Sequence, residues 1–116
     1  MKLIVAGSRG ITDYGVVKSA LDEWGMPSMV VSGGCSGPDE LGERWAGTQD
    51  IPIKVFRADW KNHGRYAGPL RNREMARYAD ALLALWDGES KGTANMILEA
   101  HRAGLDVTVV LVKETL

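Results

Sequence analysis

Three short stretches bring together residue types that hold an anion: Gly7-Ser8-Arg9-Gly10, Gly33-Gly34-Cys35-Ser36-Gly37 and Gly88-Glu89-Ser90-Lys91-Gly92-Thr93. Glycine lets a ligand approach the backbone closely, because no Cβ stands in the way. Serine and threonine hydroxyls donate to phosphate oxygens, and arginine offers paired N–H donors to them. Each stretch follows an apolar run and leads into a helical pattern. Free N–H groups and the macrodipole at a helix start favour negative charge. The chemistry such loops support is capture of a phosphate or a nucleotide. One loop alone is equally an ordinary strand-to-helix turn, so the inference rests on three of them.

Five apolar runs must position these loops. Leu3 to Ala6 reads as strand one, and Thr12 or Asp13 can cap the helix that follows, with Val16, Val17, Ala20, Leu21 and Trp24 at helical spacing. Gly25 and Pro27 end it. Met29 to Val31 is strand two. Pro38 opens the next helix, with Leu41, Trp45 and Ala46, to about Gln49. Ile53 to Phe56 is strand three, and Arg57 to Gly68 is a long connection. Pro69 opens a third helix with Leu70, Met75, Ala76 and Ala79 towards the core. Ala81 to Trp86 is strand four, and Met96, Ile97 and Ala100 give the fourth helix its apolar face. Gly104 ends that helix, and Val107 to Val112 is strand five.

Strands alternate with helices, and the strands are continuously apolar. That pattern predicts an α/β fold with a parallel sheet covered on both faces. Right-handed crossovers leave few topologies. The expectation is a Rossmann-like, doubly wound five-stranded sheet of order 3-2-1-4-5. Its ligand crevice should lie at the carboxyl ends of the strands, at the switch point between strands one and four. All three glycine loops then share one rim.

Length and composition narrow the function. A chain of 116 residues with 45% hydrophobic content is read as one domain, 1–116. A net charge of −1 offers no global basic field for nucleic acid. The single cysteine, Cys35, excludes an internal disulfide and suits a reducing compartment. No apolar stretch approaches the roughly 20 residues of a membrane span, and the N-terminus is too short in apolar residues for a signal peptide. A soluble cytoplasmic protein is expected, with no metal and no cofactor. Gly88 to Thr93 lacks Walker A spacing, and no G-x-G-x-x-G follows strand one. Dinucleotide oxidoreduction and nucleoside triphosphate hydrolysis therefore lose support.

Gly7-Ser8-Arg9, Gly33-Gly34 with Gly37-Pro38-Asp39, Ala58-Asp59-Trp60, Gly68 with Arg71-Asn72 and Met75, and Trp86-Asp87-Gly88 through Gly92-Thr93 form an ordered motif set. In these the chain resembles the YspA-type branch of the SLOG superfamily, which unites DprA proteins with the lonely-guy phosphoribohydrolases. The resemblance spans residues 3 to about 105. It implies a Rossmann-like fold and a nucleotide or nucleotide-derived ligand, and several members of that branch occur in phage and prophage genomes. It also implies a homodimer, as in the lonely-guy enzymes, and four tryptophans in so small a chain agree with that.

Arg71, Met75 and Ala79-Asp80 stand in the lonely-guy pattern, as does Gly92-Thr93. Those enzymes place a glutamate two residues after the threonine, where this chain has Asn95. Cleaving an N-glycosidic bond builds positive charge on the ribose, which a carboxylate stabilises and an amide does not. Glu89, Asp39, Asp59 and Asp87 are the carboxylates that can substitute.

The ligand-binding set is therefore Gly7, Ser8, Arg9, Gly33, Gly34, Ser36, Gly37, Asp39, Arg71, Asn72, Gly88, Ser90, Gly92 and Thr93. Arg9 and Arg71 can clamp a phosphate, and Asp39 can hold a ribose hydroxyl or serve its own helix terminus. Thr93 and Ser36 can bind phosphate or cap helices. Trp60 and Tyr66 can stack on a base or pack in a core. If the protein is an enzyme, the candidate catalytic residues are Arg71, Glu89 and Asp59. The leading reading is a binder of an adenosine phosphate or ADP-ribose-like molecule. The alternatives are a nucleoside monophosphate phosphoribohydrolase and a DprA-like binder of single-stranded nucleic acid. The last is supported by Arg57, Lys61, Arg65, Arg71, Arg73 and Arg77 but opposed by the overall charge.

Overall fold

A computed structural model describes residues 1–113. The element order is β1 (Lys2–Gly7), α1 (Tyr14–Trp24), β2 (Met29–Ser32), α2 (Pro38–Thr48), β3 (Ile53–Val55), α3 (Trp60–His63), a 3-10 turn (Gly64–Tyr66), α4 (Ala67–Tyr78), β4 (Ala81–Trp86), α5 (Lys91–Arg102) and β5 (Asp106–Leu111). The five strands form one sheet, ordered β3-β2-β1-β4-β5, and every pairing is parallel. This is the doubly wound, Rossmann-like arrangement expected from the apolar strands.

Successive side chains on β1 serve opposite faces of the sheet. Leu3 and Val5 pack with Val17 and Leu21 of α1 and with Trp45 and Ala46 of α2. Ile4 and Ala6 pack with Met75 and Ala76 of α4 and with Met96 and Ala100 of α5. Both faces of β1 and β4 are thereby sealed, which is why their sequences are apolar at every position.

The structure departs from the sequence expectation in local detail. The connection from Arg57 to Gly68 is not a plain loop, because it contains α3 and the 3-10 turn. Asp59 makes α3 possible: its carboxylate accepts from the backbone and side-chain amides of Asn62 at 3.2 and 2.8 Å. The helix expected to open at Pro69 starts at Ala67, because proline fits the first helical turn without needing an N–H. Leu70 was expected in the core but lies on the outer side of α4, 36% exposed, because Met75 and Ala76 define the inward face.

Candidate functional site

The strand carboxyl ends bring the β1–α1, β2–α2 and β4–α5 loops together, and the loops hold one another. Ser8 is buried. Its N–H donates to the Leu85 carbonyl at 3.0 Å, and its Oγ accepts from the Asp87 N–H at 3.0 Å. A Cβ on Gly7 would stand 2.2 Å from the Leu85 carbonyl oxygen and 2.6 Å from Pro38 Cγ. One on Gly37 would stand 3.0 Å from the Ser8 carbonyl oxygen. The glycine requirement at 7 and 37 is therefore met by protein packed against protein.

The β4–α5 loop is prebuilt by its own side chains. The Asp87 carboxylate accepts from the Glu89 and Ser90 N–H groups, each at 2.8 Å. Those two bonds hold its pKa below the ordinary carboxylate value. Ser90 caps α5 by accepting from the Thr93 N–H at 3.3 Å, and the Thr93 hydroxyl donates to Ser90 Oγ at 3.1 Å. The cap is thus Ser90, and Thr93 is buried beside it. The first-turn N–H groups of Lys91 and Gly92 have no intrahelical acceptor.

Arg71 reaches from α4 into the β2–α2 loop. Its Nη1 donates to the carbonyls of Gly33 at 2.6 Å and Phe56 at 3.4 Å, and its Nε donates to Asn72 Oδ1 at 3.0 Å. Its Nη2 lies 3.7 Å from Cys35 Sγ. Its Nη1 therefore braces backbone, while Nε and Nη2 meet neighbouring side chains. Asn72 in turn donates to Asn95 Oδ1 at 2.9 Å, so the two amides tie α4 to α5. Arg9 is exposed and forms no ion pair among the described residues. It is an uncommitted cation of the rim, as is the exposed Arg57 on the outer cavity.

Asp39 is 5% exposed. Its Oδ2 accepts from the N–H groups of Gly33 at 3.1 Å and Cys35 at 3.5 Å. Burial pushes its pKa up to about 6, against the opposing pull of those bonds and of Arg71. Ser32 adds a support that the sequence reading missed: its Oγ donates to Glu43 at 2.7 Å and accepts from the Gly34 N–H at 3.0 Å. A buried hydroxyl at the last position of an otherwise apolar strand was the available signal.

These residues border two adjoining cavities. One, of about 130 Å³, is walled by Arg9, Cys35, Asp39, Arg71, Asn72, Ser90, Gly92 and Thr93, with Met75 and Met96 among its apolar lining. The other, of about 340 Å³, is lined by Gly33, Gly34, Ser36, Arg57 and Ala58. Arg9, Cys35, Trp60 and Arg71 border both. Gly88, Glu89 and Asp59 line neither cavity. Asp59 is committed to capping α3, and Glu89 is exposed. A larger cavity of about 820 Å³ sits between α1 and β5. It carries Asp13 and Glu23 and no lysine or arginine, which does not suit an anion.

The basic cluster read from sequence is divided: Arg57 and Arg71 line the rim cavity, and Arg73 and Arg77 line another with Glu99. Arg71 is turned inward, Arg73 lies 3.6 Å from the buried Glu99, and Arg65 stacks over Tyr66 at 5.1 Å.

The model of the family described as YspA, cpYpsA-related SLOG family (YAcAr) matches residues 1–63. The chain belongs to the YAcAr family. The Gene 61 protein of Mycobacterium phage D29 is 39% identical over 118 residues, which cover 91% of this chain and 93% of that protein. No solved structure matches the chain. The YAcAr match takes in the first two loops and Trp60, while Arg71, Asn72 and the β4–α5 loop lie beyond it.

Proposed function

We propose that this protein binds a nucleotide or nucleotide-derived small molecule, of the adenosine phosphate or ADP-ribose type, at the strand-end rim. The observation that carries this reading is the shared cavity wall of Arg9, Arg71, Ser90, Gly92 and Thr93. The phosphate lies against the first turn of α5 and is met by Arg9. Ser8, Gly7, Gly37 and the Nη1 of Arg71 hold the loops in place. Membership of the YAcAr family supports a nucleotide-related ligand. A panel of nucleoside mono- and diphosphates, ADP-ribose and ribose 5-phosphate tests the reading by melting temperature. A rise with phosphorylated ligands is expected, and no rise with any of them contradicts it.

One observation favours a second, hydrolytic reading. Asp39 is a carboxylate on the cavity wall whose pKa of about 6 suits proton transfer near neutral pH. It takes the role first assigned to Glu89 and Asp59, which line neither cavity. Chromatography of a nucleoside monophosphate incubated with the protein tests this. Free base that appears with wild type and vanishes with Asp39→Asn is the expected result.

The same reading expects a homodimer in a reducing cytoplasm. Only Trp45 of the four tryptophans is fully buried, while Trp60 is exposed. Among the described residues no helix is long and apolar enough to cross a membrane.

A further inference from the structure

We propose that the face of Trp60 is a stacking platform for a flat ring, so that the site takes a nucleotide with its base in preference to a bare sugar phosphate. This rests on the nucleotide reading above and deepens it. The inner cavity of about 130 Å³ is smaller than the roughly 300 Å³ at which ligand pockets usually begin. It accommodates the compact anionic part alone. The adjoining cavity of about 340 Å³ opens outward, and Trp60 stands at the seam between the two.

Trp60 is 54% exposed, an expensive position for the largest apolar side chain unless something covers it. Its placement is nonetheless built. Asp59 fixes the short helix that carries it. The indole edge rests against α4 where position 68 has no side chain, with Cη2 only 3.3 Å from the point where a Cβ on Gly68 would stand. The edge is thus seated, and the half-exposed indole lines a cavity that Arg57 and Arg9 also line. An aromatic surface and cations on one cavity wall suit a nucleobase linked to phosphate.

Calorimetric titration with adenosine 5′-monophosphate and with ribose 5-phosphate separates the two ideas. Trp60→Ala should weaken the nucleotide about tenfold or more and leave ribose 5-phosphate unchanged, while Trp60→Phe should retain most of the nucleotide affinity. Gly68→Ala, which crowds the seated edge, should weaken the nucleotide in the same selective way. Circular dichroism establishes that the variants fold. Equal loss for both ligands, or no loss for the nucleotide, overturns the platform while the nucleotide reading stands. No binding of either ligand by wild type overturns both.

Discussion

Arg71 Nη1 donates to the carbonyl of Gly33 at 2.6 Å, joining α4 to the loop after β2 across 38 positions of sequence. The same guanidinium also reaches the Phe56 carbonyl and Asn72, so it holds the ends of β2 and β3 against α4. Arg71→Ala should therefore lower stability by about 1–3 kcal/mol, because it leaves part-buried carbonyls unpaired. Arg71→Lys should recover only part of that, since an ammonium cannot span the same acceptors. Urea denaturation checks both. A neutral Arg71→Ala would mean that the guanidinium belongs to the ligand and not to the loop.

Asp39 sets a pH dependence of stability. Its pKa rises from 3.8 to about 6 on folding, so the folded state holds the proton more tightly than the unfolded chain. Its contribution is nil below the unfolded value, and it becomes increasingly destabilising as pH rises from about 4 to about 6. Across that window the penalty is on the order of 3 kcal/mol. Asp39→Asn keeps an acceptor for the Gly33 and Cys35 N–H groups and abolishes the titration. The variant should match wild type near pH 4 and exceed it near pH 7.5 by up to about 3 kcal/mol, measured by denaturant midpoints. Parallel pH profiles for the two proteins would contradict this.

Two glycines that look alike in sequence should behave in opposite ways. Gly7→Ala drives a Cβ into the Leu85 carbonyl and Pro38, and should cost about 3 kcal/mol or leave the protein unfolded. Gly92→Ala meets no atom within 4 Å and lies in the first turn of α5. It should be neutral or stabilise by up to about 1 kcal/mol. Because position 92 borders the cavity, the same variant should weaken nucleotide binding. Thermal melts with and without adenosine 5′-monophosphate read both effects.

Ser90→Ala removes the cap of α5 and the partner of the Thr93 hydroxyl. A loss of about 1 kcal/mol is expected, with Ser90→Asp recovering most of it. The aspartate should nonetheless reduce anion affinity, since it adds a negative charge at the cavity wall. Denaturation and titration on the two variants separate capping from binding.

The sheet and its order were legible because apolar runs such as Leu3–Ala6 and Ala81–Trp86 leave no polar face to choose. The convergence of the loops followed from topology alone. What each loop residue does there was not legible. Gly7 and Gly92 differ only in what stands behind them, which is set by residues far along the chain. Arg71 reads as a phosphate clamp until the carbonyls of Gly33 and Phe56 are seen at its fork. Asp59 and Glu89 carry the charge a catalyst needs, but Asp59 uses its carboxylate to cap α3 through Asn62, and the backbone N–H of Glu89 is tied to Asp87. α3 was missed because a four-residue helix has no periodicity to detect.

Titration of adenosine 5′-monophosphate into wild type and Arg9→Ala tests the central claim most directly, because Arg9 is exposed at the rim and its side chain takes part in no ion pair among the described residues. Saturable binding by wild type, weakened about tenfold or more in an Arg9→Ala protein of unchanged stability, is the result expected of an anion pocket at this rim. Equal affinity in the two proteins, or no binding by wild type, would contradict it.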